Sequence, residues 1–241
     1  MQSAFWGELI GTAVLILLGN GVVANVVLKR SYGHGSGWIV ITAGWCFAVM
    51  AGVLTALALG SHAHLNPAVT VGVALATGEW RQVPLYICAQ LLGAMLGATL
   101  VWLHYLPHWG ATEDESAKRA CFCTAPAIRH LPSNALSEII GTFVLVFVAA
   151  VVSSTHLAPM GLPPGVGPLI VGFLVWAIGL SLGGPTGYAI NPARDLGPRI
   201  VHALLPLPGK GSSEWSYAFI PIVGPVIGAL LAGMLVRATA L

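Results

Sequence analysis

The sequence predicts an all-α integral membrane protein with six transmembrane helices and two re-entrant half-helices, arranged as an inverted internal repeat. Three observations carry this reading: an apolar composition, six long apolar runs, and the tripeptide Asn-Pro-Ala occurring twice inside apolar surroundings. Hydrophobic residues make up 56% of the chain and charged residues 7%, with mean hydropathy +0.85, whereas a soluble domain carries roughly 25% charged residues. A bilayer core about 30 Å thick needs roughly 20 apolar residues per spanning helix.

Six such runs lie at about 5–28, 38–60, 83–106, 134–157, 166–184 and 217–238. The first stays as a helix: it lacks a basic n-region, carries Glu8 and resembles a later segment, so it does not read as a cleavable signal. Two shorter segments, 67–78 and 192–203, are worth about 18 Å of helix each, enough to reach only halfway across a membrane. Each opens on the tripeptide, as Asn66-Pro67-Ala68 and Asn191-Pro192-Ala193. An Asn that can cap a helix, a Pro at the first helical position and then a helix former together mark a helix start. Of the four cysteines, Cys46 and Cys88 fall in spanning runs and Cys121 and Cys123 in a loop; a lone C-x-C pair reads as free thiols and not as a metal site or disulfide.

Internal repeats set the architecture. Glu8-Leu9-Ile10-Gly11-Thr12 returns as Glu138-Ile139-Ile140-Gly141-Thr142, and Gln90-Leu91-Leu92-Gly93-Ala94 pairs with Pro225-Val226-Ile227-Gly228-Ala229. The chain therefore reads as a single channel domain, 1–241, made of two halves, about 1–106 and 134–241, joined by a polar linker at 107–133. Each half holds three spanning helices, an odd number, so the second enters from the opposite side and the half-helices meet head to head at the midplane. Broken helices at that depth are tolerated only where the freed backbone lines a cavity. His62-Ala63-His64-Leu65 and Gly187-Tyr188-Ala189-Ile190 are then extended and offer carbonyl acceptors to whatever passes. Two helix N-termini place roughly +0.5 charge each at the same spot, and the Asn66 and Asn191 amides can donate there: a neutral hydroxyl is welcome and a cation is not. Arg194, a fixed cation in the apolar interior, is functional by default.

The doubled Asn-Pro-Ala, the paired glutamates and the run Gly187-Tyr188-Ala189-Ile190-Asn191-Pro192-Ala193-Arg194-Asp195 resemble the aquaporin superfamily over nearly the whole chain. Asp195 directly after Arg194, and Gly in place of His at 179, resemble its bacterial glycerol-facilitator branch. The resemblance implies an aquaporin-like fold and a selectivity filter of Trp45, Gly179, Tyr188 and Arg194, in which Arg194 donates to solute hydroxyls, the aromatic rings hold CH groups and Gly179 leaves room for a polyol. Counted back from Asn66, Cys46 occupies the spacing typical of the filter tryptophan, so Trp45 fills that role only with one extra residue before the motif. Glu8 and Glu138 are read as structural supports that accept hydrogen bonds from the re-entrant loops, and Asp195 as a loop anchor, with Arg199 four residues on as its partner.

The resemblance implies passive flow of glycerol and other small uncharged solutes, dihydroxyacetone, urea or protonated small acids, together with water, and exclusion of ions. It also implies a homotetramer in the lipid bilayer of the cell (plasma or inner) membrane, multi-pass with cytoplasmic termini. No cofactor, metal or nucleic acid is called for. Two other functions compete: a secondary transporter, which shares inverted repeats and broken helices, and a mainly water-selective aquaporin. Coupling needs titratable groups in the path, and Arg194 cannot release a proton. Gly179-Leu180-Ser181-Leu182-Gly183 fits the G-x-S-x-G pattern of hydrolases, but it lies in an apolar helix where small residues allow close packing, so no enzyme is expected. Charge argues against the implied orientation: the side with the termini has Arg81 and Arg237, the other Lys29, Arg30, Lys118, Arg119, Arg129 and Lys210, and the positive-inside rule would put the termini outside.

Overall fold

A computed structural model describes residues 2–241 as a bundle of ten helices with no strand among the described residues. The long helices are α1 (Gln2–Val27), α2 (Trp38–Ala58), α4 (Val83–His104), α7 (Leu131–Ser153), α8 (Val166–Leu182) and α10 (Ile220–Thr239). Five of them are long and apolar enough to cross a membrane; α8, with 17 residues, spans about 26 Å. The half-helices are α3 (Pro67–Thr77) and α9 (Pro192–Leu204), and α3 stops at Gly78 in the left-handed conformation, a common helix terminus.

The packing order is the same in the two halves. Helix α1 packs on α2 and α4, and α7 packs on α8 and α10. The half-helices cross over, α3 docking on α10 and α9 on α4, while α2 meets α8. The crossings are close because small residues let backbones touch: a Cβ at Gly93 would land on the Leu9 carbonyl, and one at Gly228 on the Ile139 carbonyl.

The segment 107–133 is not the open polar linker its charges suggest. It folds into two short helices, α5 (Leu106–Ala111) and α6 (Glu115–Ala120), and buries Trp109, Cys121, Phe122 and Cys123. Trp109 donates to the Trp102 carbonyl at 2.9 Å, and Asn20 of α1 donates to the Phe122 carbonyl at 3.3 Å. The apolar residues interleaved among the charges draw it onto the ends of α1 and α4. Asp114 caps α6 by accepting from the Ser116 and Ala117 amides; the Ser116 hydroxyl and those amides hold its carboxyl below the usual range. All four cysteines are free, and burial pushes the Cys123 thiol up to about 12.

Replacing Gly93 or Gly228 by Leu forces a side chain onto a backbone carbonyl that cannot retreat, and overpacking of this kind costs about 1–3 kcal/mol or more. Both variants should lose monodispersity on size-exclusion in detergent. Gly21→Ala, at a site with nothing within 4 Å, should run as the unmodified protein does.

Candidate functional site

The two tripeptides meet head to head. The Oδ1 of Asn66 accepts from the Ala68 and Val69 amides at 2.8 and 3.4 Å, and that of Asn191 from Ala193 and Arg194 at 3.0 and 3.2 Å. Pro67 and Pro192 follow as the first helical residues. The side-chain amides cross between the halves: Asn66 donates to the Ile190 carbonyl at 2.8 Å and Asn191 to the Leu65 carbonyl at 2.9 Å. Each amide nitrogen carries two hydrogens, so one remains on each side of the junction.

The backbone before each motif is forced into an unusual shape. Ala63 and Leu65 have φ of 57° and 51°, and Tyr188 and Ile190 have φ of 37° and 42°, a region that costs about 1–2 kcal/mol per non-glycine residue. The same positions, three and one before the Asn, are strained in both copies. A buried carboxylate holds each. Glu8 accepts from the His64 and Leu65 amides at 2.9 and 2.8 Å, from the Ser61 hydroxyl at 2.5 Å and from Gln90 Nε2 at 2.7 Å. Glu138 accepts from the Ala189 and Ile190 amides at 3.0 and 2.8 Å. Both carboxylates are 0% exposed.

The alternation turns carbonyls outward. Those of His62, Ala63, His64, Gly187, Tyr188 and Ala189 accept no hydrogen bond among the described residues. Leu65 and Ile190, expected to offer theirs to a passing solute, already accept from the two asparagines. The expected pore-lining set therefore splits, with two of its members closing the junction. His64 Nδ1 faces the Thr70 hydroxyl at 3.2 Å, and Thr70 also accepts from Gln90.

Two cavities follow the motifs from opposite faces. One of about 390 Å³ runs past Leu15, Val49, Val73 and residues 62–65; the other, about 540 Å³, opens past Trp38, Thr124, Gly184 and Gly187. Only Trp45, Tyr188 and Arg194 line both, so these three residues form the neck between them. The Arg194 guanidinium lies over the Trp45 ring, 4.4 Å from its centroid, a cation–π contact. Its Nη1 is buried with no partner among the described residues. Trp45 occupies a slot that exists because Gly19 of α1 has no side chain. Cys46 is 0% exposed and lines neither cavity; its carbonyl lies against Gly172 of α8.

Gly179 differs from expectation. It lines neither cavity, and a Cβ there would sit 2.8 Å from Tyr188 Cζ and 3.0 Å from Thr42 Cγ2. The missing side chain makes room for the Tyr188 ring, which withdraws into the α2–α8 seam; the space a solute meets is set at second hand. Trp38 completes the seat, donating to the Gly179 carbonyl at 3.0 Å and meeting Tyr188 edge-on at 5.8 Å. Asp195 faces away from the cavities. Its Oδ2 accepts from the Thr124 amide and hydroxyl, both at 2.7 Å, and its Oδ1 from Arg199 Nε at 2.8 Å, while Arg199 also donates to the Thr124 and Ser213 carbonyls. Sequence reasoning missed Trp38, Ser61, Gln90 and Thr124. Gln90 had a readable signal, an amide in mid-span that must find a partner; the others take their meaning from contacts distant in the chain.

Comparison with known proteins gives concordant results. Residues 1–236 match the profile of the family described as major intrinsic protein. A probable glycerol uptake facilitator protein of Thermotoga maritima is 56% identical over 235 residues, covering 97% of this chain and 98% of the relative. A glycerol uptake facilitator protein of Bacillus subtilis is 53% identical over 241 residues, covering 98% and 85%. The crystal structure of the aquaglyceroporin from Plasmodium falciparum superposes with a TM-score of 0.88 at 29% identity, covering 99% of this chain and 96% of that one.

Replacing Glu138 by Gln keeps the volume but leaves one acceptor oxygen for two amides held at positive φ. Losing a charge-assisted acceptor in a buried site costs about 1–3 kcal/mol. The variant should unfold at lower temperature in detergent, and Glu8→Gln should do so too, because it also strands Ser61.

Proposed function

The chain belongs to the major intrinsic protein family, and on that premise we propose that it is a passive channel for glycerol and similarly small uncharged solutes, with water. The observation that carries the reading is the neck. A guanidinium with unpartnered nitrogen lies over the Trp45 ring, with Tyr188 beside them in the neck, so a polyol can present hydroxyls to Arg194 and its CH edge to the indole. The free carbonyls of 62–64 and 187–189 then accept from the same hydroxyls along one side of the path, while valines and leucines line the other. Dihydroxyacetone, urea and protonated small acids fit the same donor and acceptor pattern.

Coupled transport is disfavoured because no Asp or Glu lines either cavity among the described residues, Glu8 and Glu138 are engaged by backbone amides, and His62 and His64, titratable side chains that do line the smaller cavity, share it with no carboxylate to form a coupling pair. Glycine at 179 favours polyols over water alone, since it lets the Tyr188 ring withdraw from the path. The matched order of α1–α4 and α7–α10, with crossed docking of the half-helices, supports an inverted duplication. In line with the family, we place the protein in the cell membrane with cytoplasmic termini and as a homotetramer whose lipid-facing apolar residues, such as Leu18, Phe47 and Phe173, meet neighbouring copies or acyl chains. Stopped-flow light scattering of proteoliposomes against a solute panel tests the assignment: glycerol flux should stay linear in concentration and be indifferent to proton or sodium gradients, and uphill accumulation would refute it.

Fixed positive potential at the neck and at the opposed helix ends excludes cations. In planar bilayers, proton current should be undetectable under conditions where vesicles from the same preparation conduct glycerol.

Trp45→Ala should widen the neck and lower discrimination between glycerol and five-carbon polyols by about tenfold, while Cys46→Ala should change it less than about twofold. The reverse pattern, read from the same flux assay, would put Cys46 on the path.

A further inference from the structure

The face opposite the termini, formed by connections 28–37, 105–130 and 183–219, carries eight of the ten basic residues and five of the eight acidic ones. Most of that charge is already engaged. Lys118 donates to the Pro208 carbonyl at 2.6 Å, Lys210 to three carbonyls at the end of α9, Arg199 pairs with Asp195, and Arg129 binds Glu214 at 2.6 Å. Two guanidinium groups are left with a buried, unpartnered nitrogen, and they line the same 540 Å³ cavity: Arg194 through Nη1 and Arg119 through Nε. The one acid within 4.0 Å of Arg119 among the described residues is Glu214, already held by Arg129, while Asp114 turns its carboxyl to the Ser116 and Ala117 amides. Asp195 uses both oxygens on Thr124 and Arg199, and no carboxylate lines the cavity among the described residues.

We infer that this cavity is a binding site for a small oxyanion on a polyol-sized skeleton, a three-carbon hydroxycarboxylate or phosphate monoester, whose charged end is taken by Arg119 above the Arg194 neck. Guanidinium groups bind carboxylate and phosphate through paired, charge-assisted hydrogen bonds, and apolar walls such as Val23, Val27 and Ile41 concentrate the field. The hydroxyls of the skeleton suit the same neck a polyol uses. The anion goes no further, because passing the neck means giving up its paired bonds to Arg119, and beyond Arg194 no other arginine or lysine among the described residues lines the cavity to replace them. Bound there, it shuts the neck to neutral solutes, so the basic face makes the channel sensitive to oxidised or phosphorylated relatives of its solute. This part of the inference rests on the pore reading above.

The test uses full-length protein in vesicles, with D-glycerate or glycerol 3-phosphate on both sides and chloride at matched ionic strength as control. D-glycerate should reduce glycerol flux and chloride should not. Arg119→Gln should retain the basal glycerol flux and raise the half-blocking concentration by about tenfold, while Glu214→Gln, which removes the competing acid, should lower it. Block by glycerol 3-phosphate alone would assign the site to phosphate esters. No block by either anion, equal block by chloride, or block unchanged in Arg119→Gln would overturn the proposal. Should Arg119→Gln not fold, Arg119→Lys, which keeps the charge but loses the fork, should fold and show the weaker block. Saturation-transfer NMR on the detergent-solubilised protein separates the two readings. Transfer to D-glycerate that depends on Arg119 in a protein without glycerol flux would sink the pore and keep the site; flux without transfer would do the opposite.

Discussion

Everything the pathway does depends on two buried carboxylates. A helix can be interrupted inside a bilayer only if each freed backbone group finds a partner, and here the interruption also carries four non-glycine residues at positive φ. Glu8 and Glu138 meet both demands, each binding the two amides just before an asparagine. Because the amides on one side of the chain are fixed to the glutamates, the carbonyls on the other side are left to face the cavity. The strain, the buried carboxyls and the row of free acceptors are one device. A carboxyl is tolerable at that depth because its oxygens are met by donors from the loop it holds.

The junction is symmetric, but the neck is not. Asn66 and Asn191 exchange equivalent bonds, and Glu8 and Glu138 do equivalent work, yet the second half alone places an arginine two residues after its proline. The equivalent position in the first half is Val69, which packs in the core against Ala68 and Val146. The passage is thus common to the two halves, and the arginine that only one of them carries makes the neck asymmetric. The asymmetry extends outward through the next residue: Asp195 and Arg199 tie α9, the helix that carries Arg194, to Thr124 and Ser213 in the loops around the wider cavity.

The bundle was legible in the sequence because its signals are periodic and long. The apolar runs predict each spanning helix to within about four residues at either end, and the tripeptides mark the starts of α3 and α9 at the residue. What the sequence could not convey is local contact between distant segments. The stretch 107–133 reads as polar by its charges, but Trp109 and Phe122 anchor it in the interior. Gly179 reads as empty space, and the space belongs to a neighbouring ring. The uncertainty between Trp45 and Cys46 arises because a helix counts residues by angle and the connection after it does not; one added residue between α2 and Asn66 leaves the face of α2 unchanged, and the slot at Gly19 fixes which side chain enters.

That last point bears on why the neck holds its shape. An indole in a path that conducts solute would gain entropy by swinging clear, and its loss of rotamer freedom must be offset by contact. Trp45 has contact on two sides. Gly19 makes room for its six-membered ring against α1, and the Arg194 guanidinium lies over the ring system. The same cation that repels other cations thus immobilises the ring that sets the aperture, and Tyr188 is held comparably between Gly179 and Trp38. The selectivity expected of the neck comes from held walls that carry unfilled donors, the Arg194 guanidinium and the Tyr188 hydroxyl.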